Sequence, residues 1–109
     1  MPSPPIFTVL YRWRLREGSE AQFIADWSRI TADYHEHRGS LGARLHRGDD
    51  GLWYSYAQWP SAAARAAAFA QGSPDPDASR RMREAIVESL PEVIMEPVAD
   101  FLSPRPVRG

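Results

Sequence analysis

Trp53, Tyr54, Tyr56 and Trp59 lie within the short segment 52–59, so a strand there carries large aromatic rings on both faces. A sheet with one solvated face alternates apolar and polar side chains, and rings on both faces imply cover on both. In a chain of 109 residues the second cover is expected from another copy, which predicts a dimer with a pocket. Other groups able to move protons or hold anions are few. His35 and His37 stand two apart on a predicted helix, so they point to different sides and cannot share a metal as an i, i+4 pair could. With Glu36 they read as a polar helix end, and His46, between Arg44 and Arg47, reads as a surface or dimer contact. Arg80, Arg81 and Arg83 form a solvated face, from which one guanidinium could turn inward to an anionic substrate. Asp75 and Asp77, beside prolines, read as turn and cap residues. No metal site is expected, and there is no phosphate loop, nucleophile elbow or Ser/His/Asp arrangement.

The length suits one domain, expected over residues 1–109 with a core at about 6–102 and a frayed tail at 103–109. A hydrophobic fraction of 43% argues against disorder, and a net charge of -1 argues against nucleic acid or an anionic membrane as the main partner. The chain has no cysteine, which excludes disulfides and thiolate chemistry. All thirteen basic residues are Arg, and Asn is absent, which removes one catalytic residue type. No apolar run reaches membrane-spanning length, and the proline-rich start lacks the pattern of a signal peptide. A cytoplasmic location is the expectation.

The elements that must position these side chains are legible in turn. Residues 6–15 read as a first strand, with Phe7, Val9, Tyr11, Trp13 and Leu15 on one face. Ser19-Glu20-Ala21-Gln22 has capping-box form and opens a helix whose Phe23, Trp27, Ile30 and Tyr34 make one stripe. Residues 41–47 and 52–59 form a predicted hairpin about Gly48-Asp49-Asp50-Gly51. An alanine-rich helix follows over 61–71, then a loop over 72–77. Met82, Ile86 and Leu90 predict a third helix over 78–90, stopped by Pro91. Residues 93–102 read as a last strand, with Pro97 at an edge or bulge. The order predicts an α+β, ferredoxin-like split βαβ fold: one antiparallel sheet with helices on one face. The bare face, with Leu10, Tyr54 and Tyr56, is where a homodimer would form.

Three pieces in order and spacing resemble the antibiotic biosynthesis monooxygenases, dimeric α+β barrels that include quinone-forming oxygenases and haem-degrading relatives. They are Arg14-Leu15-Arg16-Glu17-Gly18, Gly39-Ser40-Leu41-Gly42-Ala43-Arg44-Leu45 and Gln58-Trp59-Pro60-Ser61, and the likeness spans residues 7–69. The resemblance implies that Trp59 lies beside the substrate. It also places Tyr11 where haem-degrading members carry Asn, and Phe69 where they carry His, so haem ligation in their manner is not expected. Quinone-forming members tend to employ Asn as well, and this chain has none. The resemblance turns Tyr11, Trp13, Ser55, Ala57 and Trp59 toward the helices, together with Phe23, Trp27 and Phe69. Small Ser55 and Ala57 between two Trp residues leave room for a flat ligand.

The resulting expectation is a cofactor-independent monooxygenase acting on a polycyclic or quinol-like aromatic. Trp59, Tyr11 and His35 are the candidate catalytic residues. Trp27, Trp13, Phe23, Tyr34, Ser55, Phe69 and Arg83 are the candidate substrate contacts. No cofactor, metal, nucleic acid or membrane enters this reading. The alternatives are a non-catalytic module that binds a small apolar ligand and a structural dimer with a filled core. An open cavity with a polar group beside Trp59 favours the enzyme, an enclosed apolar one the binder, and dense packing the structural protein.

Overall fold

The computed structural model describes residues 6–103. Strand β1 (Phe7–Leu15) is followed by helix α1 (Glu20–His37), then by strands β2 (Gly42–Arg47) and β3 (Trp53–Trp59). Helices α2 (Ala62–Ala70) and α3 (Pro76–Glu84) lead to strand β4 (Ile86–Met95). All neighbouring strands are antiparallel, in the order β2-β3-β1-β4, and the helices cover one face. This is the ferredoxin-like α+β arrangement. Among the described residues no helix is long and apolar enough to cross a membrane.

Period-two alternation sorts the central strands. In β3, Trp53, Ser55, Ala57 and Trp59 are buried while Tyr54, Tyr56 and Gln58 between them are half-buried. Register carries the pattern into β1, where Val9, Tyr11 and Trp13 face Ala57, Ser55 and Trp53. Phe23 of α1 is fully buried and meets Trp13 and Trp53 edge-on, with ring centroids 5.2 and 6.1 Å apart. These three rings and Ala85 make the central core cluster. The β2–β3 hairpin closes where Gly48 N–H donates to the Leu52 carbonyl at 2.7 Å and Gly51 takes a φ of 83°, open to glycine without strain.

Three local expectations are corrected. Ser19 is the N-cap of α1, yet its side chain makes no capping bond, because its ψ of 10° leaves the extended conformation that capping needs. Gln22, the other half of the expected box, instead donates to the Arg81 carbonyl at 2.9 Å and ties α1 to α3.

The third helix ends at Glu84, six residues before the expected Leu90, and β4 begins at Ile86. Buried Ala85 is the hinge, and its carbonyl accepts from Arg16 N–H at 2.8 Å, next to the first rung of the β1–β4 ladder. Pro91 therefore lies inside a strand. It is tolerated because β4 is the sheet edge and because the ladder is bulged there.

Leu10 pairs with Val93 but Arg12 pairs with Leu90, so both Pro91 and Glu92 stand opposite Tyr11. The strand ends at Met95, so the expected continuation to residue 102 has no partner, and Pro97 falls beyond the strand. Of the tail expected to fray, residues 104–109 lie outside the described residues.

Candidate active site

Between the covered face of the sheet and the three helices lies a cavity of about 350 Å³ that opens to solvent. Its sheet wall is Tyr11 and Trp13 from β1, Ala43 from β2, and Ser55, Ala57 and Trp59 from β3. Helix α1 contributes Trp27, Ile30, Thr31 and Tyr34, α2 contributes Phe69, and α3 contributes Ser79 and Met82. The wall exists because Ser55 and Ala57 are small where the flanking positions of β3 are Trp. A Leu at either would take up the room.

Two groups of rings frame the space. Trp59, Tyr34 and Phe69 pack mutually at 5.4 to 5.9 Å, with Trp59 edge-on to the other two. Tyr11 and Trp13 lie nearly parallel, their centroids 5.9 Å apart. A flat apolar ligand meets π-surface from both. The polar atoms of the lining side chains are hydroxyls, from Tyr11, Thr31, Tyr34, Ser40, Ser55, Ser73 and Ser79, apart from the indole N–H groups of the tryptophans. Among the described residues no charged side chain lines the cavity.

Among the described residues Tyr11 is the one of these hydroxyls that is hydrogen-bonded to a charged side chain. Arg65 of α2 donates to its oxygen through Nη2 at 2.9 Å and Nε at 3.2 Å. The same Nη2 donates to Glu92 Oε2 at 2.8 Å, on the bulge of β4. The guanidinium also lies over Phe69, 4.9 Å from its ring centroid. Burial pushes the Tyr11 phenol above its ordinary value of 10.0, and Arg65 offsets this only in part. Burial also raises Tyr34, against the pull of Arg38. Both phenols stay protonated at neutral pH. Arg38 itself ties the end of α1 to the end of α2: its Nη1 donates to the carbonyls of Ala68 and Gly72 at 3.1 and 3.0 Å.

Of the residues singled out from sequence, Tyr11, Trp13, Trp27, Tyr34, Ser55, Trp59 and Phe69 meet around this cavity. Phe23 lies behind the wall in the core. His35 and Arg83 are exposed and outside the lining: His35 approaches Gly42 at the end of α1, and Arg83 lies on the outer side of α3. Arg65, Glu92 and Arg38 were not among the expected site residues. For Arg65 one signal was present: it is the sole charge in the alanine-rich run 62–70.

The antibiotic biosynthesis monooxygenase family matches residues 6–85. The chain belongs to this family. The antibiotic biosynthesis monooxygenase fold is equally plain in solved structures. SnoaB from Streptomyces nogalater, a cofactor-independent oxygenase, shares 18% identity and a TM-score of 0.72 over 91% of this chain and 99% of its own. A Mycobacterium tuberculosis protein aligns with a TM-score of 0.70 at 15% identity, over 89% of this chain and 99% of its own. A conserved protein from Methanosarcina mazei has a TM-score of 0.71 at only 8% identity, over 85% and 93% of the two chains. No curated protein matches the sequence significantly. At these identities the structural likeness speaks for the fold, and the chemistry must be argued from the site.

Proposed function

We propose that this protein is a cofactor-independent monooxygenase acting on a flat polycyclic or quinol-like aromatic. One observation carries the reading: an aromatic cavity of about 350 Å³, open to solvent and studded with neutral hydroxyls, lies beside Trp59. That volume is at the lower end of small-molecule sites, roughly 300–1,000 Å³. The lack of lining charge suits a substrate that enters neutral and develops charge only on reaction.

The chemistry asks little of the protein. An anthrone or hydroquinone loses a proton and becomes an electron-rich enolate or phenolate. For an anthrone, the anion passes one electron to O₂, and the resulting radical pair closes a C–O bond. Protonation gives a hydroperoxide, which loses water and leaves a carbonyl. One substrate and one O₂ thus yield one quinone and one H₂O. The protein holds the ring between Trp59 and Trp27, limits water, and stabilises the anion with a hydroxyl such as that of Tyr11. The test is O₂ uptake and product formation with a panel of anthrones and hydroquinones. Folded protein that retains these ligands without consuming O₂ would instead be a binding module.

The functional unit is proposed to be a homodimer joined through the sheet. Leu10, Tyr56 and Val93 share the sheet face that none of the three helices covers. Sedimentation at micromolar concentration should give a dimer, and Leu10→Glu should shift it to monomer. Monomeric wild-type protein sinks this part of the reading.

A further inference from the structure

We propose that Arg65 is a positioning residue that makes Tyr11 a dedicated hydrogen-bond donor to a substrate oxygen, so that the cavity selects flat aromatics carrying a carbonyl or phenol oxygen. The inference rests on the oxygenase reading for its catalytic consequence, but its binding consequence stands alone.

The argument is one of donors and acceptors. A guanidinium has five N–H donors and no acceptor. Arg65 directs two of them at the Tyr11 oxygen, at 2.9 and 3.2 Å. That oxygen is thereby occupied as an acceptor, and its own proton cannot be given back to Arg65. Among the described residues the Tyr11 hydroxyl donates to no protein acceptor, and the nearby carboxylate of Glu92 receives Arg65 Nη2 at 2.8 Å. The Tyr11 proton is left for a partner in the cavity that Tyr11 lines. Ser55, the Cα partner of Tyr11 across β1 and β3, supplies a second hydroxyl on the same wall.

Charge makes this donor a strong one. Hydrogen bonds from a cation polarise the phenol, and a polarised O–H binds an oxyanion better than it binds a neutral carbonyl. Stabilisation of that kind favours the enolate over the ketone, which is what the oxygenase reaction needs. The phenol does not itself ionise at neutral pH, since burial holds it above its ordinary value. The titratable and charged groups around it are Arg65 from α2, Glu92 from β4 and Tyr34 from α1. The bulge matters here: it sets both Pro91 and Glu92 opposite Tyr11, where the carboxylate can anchor Arg65.

The test compares anthrone with anthracene, the same ring frame without oxygen, by quenching of tryptophan fluorescence. Wild type should prefer anthrone by about tenfold, the worth of one good hydrogen bond. Tyr11→Phe and Arg65→Gln should each abolish most of that preference while anthracene binding stays unchanged. The double variant should be no worse than Tyr11→Phe alone, because the two residues act in series. Tyrosinate absorbance, read as the difference from Tyr11→Phe, should show the Tyr11 titration moving to higher pH in Arg65→Gln, with Arg65→Lys between. A merely structural Arg65 predicts weaker binding of both ligands alike and additive losses. That result, or an unchanged tyrosine titration in folded Arg65→Gln, overturns the proposal. An intact anthrone preference without O₂ uptake overturns the oxygenase reading instead and leaves this one standing.

Discussion

Arg81 reaches Asp26 with both Nε and Nη2, and both go to the same oxygen, Oδ1, each at 3.2 Å. Asp26 Oδ2 is left buried without a partner. The pair pins α3 to α1 and so fixes the wall that carries Ser79 and Met82, but it does so with a carboxylate half satisfied. Arg81→Met should therefore destabilise the fold more than its own exposure suggests, because it strands a buried charge. Breaking a fully buried pair costs about 3–5 kcal/mol, and the exposed side of Arg81 lowers the expectation to about 2–3 kcal/mol. The double variant Asp26→Leu/Arg81→Met should recover most of that loss, as read by urea unfolding.

The two serine N-caps should behave unequally. Ser61 Oγ accepts from Ala64 N–H at 3.0 Å, whereas Ser19 makes no capping bond. Ser61→Ala should cost about 1 kcal/mol, and Ser19→Ala should stay within about 0.5 kcal/mol of wild type. Chemical denaturation of the two variants side by side checks this.

Alkaline pH should weaken the fold through Tyr11. Its folded pKa is raised, first by burial, so above the ordinary value of 10.0 the unfolded chain loses the proton while the folded chain keeps it. The contribution is therefore constant below pH 10 and falls as pH climbs from there toward the folded pKa. Tyr11→Phe should flatten the decline, and Tyr34, shifted the same way, should account for part of what remains. Unfolding free energies measured from pH 8 to 11 provide the comparison, and equal slopes in wild type and Tyr11→Phe would refute it.

Trp59 and Phe69 touch the same cavity from different depths. Trp59 is 3% exposed and Phe69 41%. Trp59→Ala should cost about 3–5 kcal/mol of stability, as for other large aromatic truncations in a core. Phe69→Ala should cost less than about 2 kcal/mol, since its ring is already half in water. Ligand retention should fall in both, so Phe69→Ala is the variant that separates binding from folding.

Much of this is legible in the sequence. Strict alternation in β3 separated Trp53 and Trp59 from Tyr54 and Tyr56, and it placed small Ser55 and Ala57 where the cavity lies. The pattern misleads where alternation is broken. Met82, Ile86 and Leu90 fall at helical spacing by coincidence, because bulges in β4 disturb the period of two that would have marked a strand from Ile86. Arg65 and Glu92 are not legible as site residues for a related reason. Their meeting at Tyr11 depends on a helix and an edge strand far apart in sequence, and no local pattern encodes it.

The irregularities of β4 have one more consequence, which is a matter of parity. The first extra residue, at Pro91 and Glu92, inverts the strand, so that Leu90 shares Arg12's face and Glu88 shares Arg14's. Glu88 thereby meets Arg14 at 3.4 Å in water instead of turning its charge toward the core. A second shift, between Arg14 and Leu15, inverts it again, and Ile86 returns to the face of Leu15 beside the core cluster. Two odd steps make an even one. Removing either alone would leave the far end of the strand facing the wrong way, and removing both would restore Ile86 but turn Glu88 toward the core.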